Sequence, residues 1–161
     1  MKWVIFITTL ILLAACHQRI DKTRELQAQI DSLQNKLNNT YKPGFGEFMG
    51  NIQLHHAKLW FAGINKNWRL ADFEIQEIQE TLDDIKKYDS DRPETKDLRM
   101  IKPPLDSISN AVEQQNLPLF KSSFIVLTKT CNNCHRATDH DFNVITTPSV
   151  PPIGNQIFKS Q

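Results

Sequence analysis

Glycine is scarce, with five residues in a chain of 161. Sheet proteins use glycine at tight turns and bulges. The shortage, together with apolar residues at helical spacing, argues against a sheet and points to an all-α fold. Charge of one sign is also missing. The 19 Lys and Arg residues against 18 Asp and Glu residues leave a net charge of +1. They are spread along the chain, without the basic stripe that nucleic acid would need. The apolar stretch Val4–Leu13 is broken by Thr8 and Thr9 and falls far below the ~20 residues of a membrane-spanning helix. Cysteine is limited to three, too few for a disulfide framework. No phosphate loop, nucleophile or general base stands out, so the chain is not read as an enzyme. Its length allows one domain plus a leader and a tether.

What is present begins with a targeting segment. Lys2 supplies a positive start, the apolar stretch follows, and Leu13-Ala14-Ala15-Cys16 closes it. This ending resembles the lipobox of bacterial lipoproteins. The resemblance implies that residues 1–15 are a signal peptide cut before Cys16. It also implies lipidation of Cys16 on its sulfur and its new amine, enough acyl chains for a stable membrane anchor. An ordinary secretory leader with an incidental cysteine is the alternative. His17 stands where an Asp would retain a lipoprotein at the inner membrane, so the expected location is the periplasmic side of a bacterial membrane, with the outer membrane favoured.

Between Ile20 and Asn39 the chain is polar, and Leu26, Ile30, Leu33 and Leu37 recur at four-three-four spacing. That is the seam of a short amphipathic helix or coiled coil. Residues 16–42 are therefore expected to be the lipid anchor and a helical spacer, with a possible oligomer contact along 26–37. Pro43-Gly44 marks the domain boundary.

Four helical patterns follow within residues 43–140. The first, Phe45 to about Ala62, places Phe45, Phe48, Met49, Ile52, His56, Leu59 and Trp60 on one face, with Gly63 as a left-handed stop. Asn67 caps the second, which turns Ala71, Ile75, Ile78, Leu82 and Ile85 inward. Asp72, Glu74, Glu77, Glu80, Asp83 and Asp84 on its other face read as solvated surface. A polar link from Tyr88 to Lys96 leads to the third, with Leu98, Ile101, Leu105, Ile108 and Val112 in phase. Pro103-Pro104 either starts or kinks its regular helix. Pro118 opens the fourth, which holds Phe120, Phe124, Leu127, Cys131 and Cys134 inward. Residues 141–161, with Pro148, Pro151 and Pro152, are expected to form an extended tail over the domain. Four apolar stripes on short links predict an antiparallel four-helix bundle behind a helical tether.

The chemistry concentrates in Cys131-Asn132-Asn133-Cys134-His135. This pentapeptide, C-x-x-C-H, is the attachment signature of haem c. Two thiols three residues apart share a helix face and can each form a thioether to a haem vinyl group, while the adjacent His135 reaches the iron. A thioredoxin-like pair would want a βαβ context. A zinc site would want more paired ligands than His55, His56 and His140 provide. A plain disulfide is the remaining alternative. With Cys16 lipidated and two thioethers formed, no thiol is left over.

A haem motif at the end of the last helix resembles the class II c-type cytochromes, the cytochrome c prime superfamily. The stretch from Phe48 to Leu59 looks like their first helix, and Trp68-Arg69-Leu70-Ala71 opens the second. The resemblance implies a four-helix bundle holding one covalent haem c, and a residue of the first helix facing the iron. Counting back six from His55 places Met49 there as the candidate sixth ligand. His56 and His55 are the further candidates. Low-spin members carry an Arg four residues before that Met, where this chain has Phe45. The implied function is electron transfer in the periplasm with redox partner proteins. A five-coordinate protein binding NO or CO, and a haem subunit of a larger assembly, are the alternatives.

Overall fold

The computed structural model describes residues 22–37, 40 and 42–160. Residues 1–15, expected to be a signal peptide, and Cys16 lie outside the described residues. The chain divides into two compact units between Lys42 and Pro43. In the first, residues 22–37 form a single helix, α1. Its seam is bare: Leu26, Ile30, Leu33 and Leu37 are each at least half exposed.

The second unit contains α2 (Phe45–Ile64), α3 (Trp68–Tyr88), a 3-10 segment (Pro93–Ile101), α4 (Lys102–Glu113) and α5 (Leu117–Ala137). Among the described residues there is no strand, and no helix is long and apolar enough to cross a membrane. The protein is all-helical and bundle-like. α2 packs on α3 and α5, and α4 packs on α3 and α5. Gly63 near the end of α2 meets Phe120 near the start of α5, whereas Met49 near the start of α2 shares a cleft with Cys131 near the end of α5. The two helices therefore run in opposite directions.

The stripes of α3, α4 and α5 are largely buried where 3.6-residue periodicity places them. Ala71, Ile75, Ile78, Leu82 and Ile85 of α3 meet Leu105, Ile108 and Val112 of α4 and Phe120, Phe124 and Leu127 of α5 in one core. Each such large side chain contributes roughly 1.5–3 kcal/mol relative to an exposed position.

The corners explain how short links suffice. Three residues separate α2 from α3, and three separate α4 from α5. At the first, Lys66 takes a left-handed conformation (φ 57°), its N–H bonds to Gly63 O, and the Asn67 N–H bonds back to Ala62 O. At the second, Gln115 (φ 52°) and Asn116 repeat this with Val112 O and Ala111 O. Both are Schellman endings. Each Asn then caps the next helix, Asn67 accepting from Leu70 N and Asn116 from Leu119 N. One residue closes one helix and opens another.

Two expectations are corrected, at Gly63 and at Glu74. Gly63 does not stop α2; it lies inside the helix, and Lys66 makes the left-handed turn. Gly63 is needed for space, since a Cβ there would sit 2.0 Å from Phe120 Cζ. After Tyr88 a 3-10 helix covers Pro93–Ile101 and buries Leu98 and Ile101, and of the two alternatives at Pro103-Pro104 the regular helix starts there. Glu74 is not on a solvated face. It is wholly buried, 2.6 Å from His55 Nδ1 and 2.8 Å from Lys58 Nζ, both on α2. The lysine contact is an ion pair without hydrogen-bond geometry. An unpaired carboxylate at this depth would be costly, so the partners on α2 are what allow it.

Candidate functional site

A cleft opens where the start of α2 meets the end of α5. Met49, Ile52, Gln53 and His56, at helical spacing along one face of α2, form one wall. Leu127, Cys131, Cys134 and His135 of α5 form another. Ile78 and Leu82 of α3, with Leu98 and Ile101 of the 3-10 segment, complete an apolar lining, and Asn143 and Ile145 of the tail edge it.

The pentapeptide falls in the last turns of α5. Its three- and four-residue spacings place Cys131, Cys134 and His135 together on the cleft side. Both thiols are free. Burial in apolar surroundings pushes the Cys131 thiol up to about 12, with Cys134 adding to the effect. Burial, and then the charge of Asp97, also raise Cys134. A dithiol used for exchange has its thiolate favoured instead, whereas these surroundings hold both thiols neutral. Among the described residues no group of three His, Cys, Asp or Glu side chains could hold a bare metal ion.

His135 Nδ1 lies 2.6 Å from the Asn143 carbonyl oxygen. A carbonyl only accepts, so the ring donates from Nδ1, and a neutral ring then carries its lone pair on Nε2. This is the arrangement of an axial metal ligand, whose second nitrogen is commonly tied to a backbone carbonyl.

The other histidines separate sharply. His56 lines the cleft but is buried to 3% exposure, stacks on Phe124 at 4.4 Å between centroids, and has Nε2 2.8 Å from Thr128 Oγ1. The Thr128 hydroxyl donates its proton to Phe124 O, so His56 Nε2 must be the donor to Thr128. Burial lowers the His56 pKa to about 4, which keeps the ring neutral. His55 points to α3, bonded to Glu74 with Glu77 at 3.7 Å from its other nitrogen, and does not line the cleft. His140 caps the end of α5, its N–H bonding to His135 O. Met49 is thus the cleft residue of α2 that offers a soft donor without breaking another contact described for it. Trp60 and Trp68 join Phe120 and Phe124 in an aromatic core, and Phe61 packs on Phe158. Beside Phe45 stands Arg92, its guanidinium 5.5 Å from the ring centroid.

Sequence reading missed Thr128, Asn143 and Ile145. A hydroxyl in phase with Phe124 and Cys131 was a usable signal for Thr128, whereas the tail residues carried none.

No protein-family model matches the chain, and neither curated proteins nor solved structures yield a match.

Proposed function

We propose that this chain is a monohaem c-type cytochrome of the class II kind. In this reading it is an antiparallel four-helix bundle carrying haem c on Cys131 and Cys134, with His135 and Met49 as axial ligands. It transfers electrons to and from redox partner proteins at the periplasmic side of a bacterial membrane, the outer membrane favoured, to which lipidated Cys16 ties it. The observation that carries the reading is the cleft, which joins the attachment motif of α5 to Met49 of α2 across an apolar interior.

The donor set fits the group. Two neutral thiols and an imidazole with its Nε2 lone pair free share one wall, and a thioether stands on another. When bound, the haem supplies one-electron chemistry at iron. The residues of the chain hold and orient it: the thiols fix the ring edge, His135 presents Nε2, and Ile78, Leu82, Leu98 and Ile101 exclude water. Thioether ligation opposite His raises the reduction potential.

One observation keeps a second reading in view. His56 donates from Nε2 to Thr128 and is stacked on Phe124 in the buried core, so Met49 is the better-placed sixth ligand on α2. If Met49 packs rather than ligates, the iron is five-coordinate and binds NO or CO. The exposed seam of α1 supports the third possibility, a haem subunit in a larger assembly or an oligomer through 26–37.

Expression with a cytochrome c maturation system tests the proposal. The denatured protein should retain haem on a gel and give a two-thioether pyridine haemochrome. Haem that extracts into acidic butanone overturns it. The reduced spectrum should show the sharp bands of six-coordinate iron, and Met49→Ala should open the iron to CO. A wild type that binds CO unaided favours the gas-binding reading. Membrane fractionation of Cys16→Ser against wild type tests the anchor.

A further inference from the structure

The tail beyond α5 is fastened directly to the pentapeptide. Asn132 Nδ2 donates to Ile145 O at 2.8 Å, and Ile145 N–H donates to Asn132 Oδ1 at 2.8 Å. A side-chain amide is pairing with one backbone residue as a neighbouring strand would, offering a donor and an acceptor in one plane. Only Asn or Gln can do both. Two residues earlier in the tail, Asn143 O accepts from His135 Nδ1 at 2.6 Å. Positions 132 and 135 share a helix face, and positions 143 and 145 share a face of an extended segment. The two contacts therefore form one two-point clamp. Asn143 is itself held by its N–H to His140 O. At the far end the tail is pinned again, with Phe158 buried against Phe61 and Lys159 O near Asn67 Nδ2.

We propose that residues 143–145 are a strap that fixes the tautomer and orientation of His135, and that Asn132, at a variable position of the attachment motif, is the positioning residue that fastens it. The inference rests on the haem reading for its purpose, but not for its geometry. Without the clamp, His135 would be a ring at a helix end, free to rotate and to exchange its proton between two nitrogens. With it, Asn143 O holds the proton on Nδ1 and Nε2 stays available for the iron. Asn143 and Ile145 also edge the cleft, so the same strap stands beside the space a haem would occupy.

The test is nitrogen-15 NMR of the imidazoles in the full-length chain, at a pH where free imidazole is neutral. Wild-type His135 should be in the Nδ1–H form. Asn132→Leu, close in size but unable to hydrogen bond, should shift the tautomer ratio toward Nε2–H by about tenfold or more, the effect of losing two hydrogen bonds. Asn132→Asp, which keeps the acceptor alone, should fall between. Ile145→Pro removes the N–H that Asn132 Oδ1 accepts and leaves the pentapeptide intact, so it should shift the ratio in the same direction, by less than Asn132→Leu, even if that variant folds poorly. In haem-loaded protein, Asn132→Leu should speed exchange of the His135 Nδ1 proton by a similar factor. A wild-type Nε2–H tautomer, or ratios unchanged in both Asn132→Leu and Ile145→Pro, overturns the strap. A wild type with the Nδ1–H tautomer but no thioether haem overturns the haem reading and leaves the clamp standing.

Discussion

α1 and the α2–α5 body carry apolar residues at the same helical spacing, yet one leaves them in water and the other removes them. Leu33 is 64% exposed, whereas Ile78, also on a helical stripe, is 1% exposed. Periodicity reports that a helix has a face to cover and says nothing of what covers it. In the body the covering comes from neighbouring helices delivered by three-residue corners. α1 has no such corner beside it among the described residues. Its pattern, with Ile30 and Leu37 at one seam position and Leu26 and Leu33 at the other, has the spacing of a coiled-coil seam.

The sharpest way to break this contrast is to truncate one residue of each kind. Phe120→Ala, at a side chain with no exposure that touches Trp60, Trp68 and Phe124, should destabilise the body by about 3–5 kcal/mol in denaturant unfolding. Leu33→Ala should leave the same transition within about 0.5 kcal/mol. Comparable losses at both sites would mean that the α1 seam is covered after all.

Next in size is the buried charge. Glu74→Ala should destabilise by about 3 kcal/mol, because it leaves Lys58 and His55 facing an apolar wall without their partner. The double variant Glu74→Leu, Lys58→Met should recover most of that loss, since a well-packed apolar pair of similar volume replaces the ion pair. If the double variant is worse than Glu74→Ala, the pair contributes net stability and not only mutual tolerance.

A third prediction concerns pH. His56 falls from 6.5 to about 4 on burial, so the unfolded chain binds the proton more tightly. Its contribution to stability is complete above the unfolded value, near 6.5, and declines as pH falls toward about 4, by at most about 3 kcal/mol. Unfolding free energies measured from pH 7 to pH 4 should show this slope, and His56→Gln should flatten it. An identical slope in the variant would assign the effect to other groups. The smallest effect lies at the corners. Lys66→Gly and Gln115→Gly should each raise stability, by up to ~1 kcal/mol, by relieving a left-handed conformation that glycine adopts freely. A loss at either position would mean that the side chain contributes more than its backbone strain.

Much of the helical layout was legible because stripes, caps and proline starts are local. Asn67, Asn116 and Pro118 act within a few residues of where they stand. The pentapeptide was legible for the same reason, its thiols and imidazole being neighbours in the chain. What could not be read depends on residues distant in sequence. Glu74 looks like the acidic residues around it until His55 and Lys58 are brought against it from α2. Gly63 suggested a turn, but its reason lies in a phenylalanine at the start of α5. The commitment of His56 depends on Thr128, and that of His135 on a tail whose composition shows only that it is not helical.

That tail implies an order of events. Residues 143–145 follow the pentapeptide in the chain and close against it through Asn132 and His135. Because the chain is made from its N-terminus, the pentapeptide exists before the residues that fasten it, so Asn132 and His135 pass through an interval in which they are not yet clamped, and weakening the clamp through Ile145 should lengthen it.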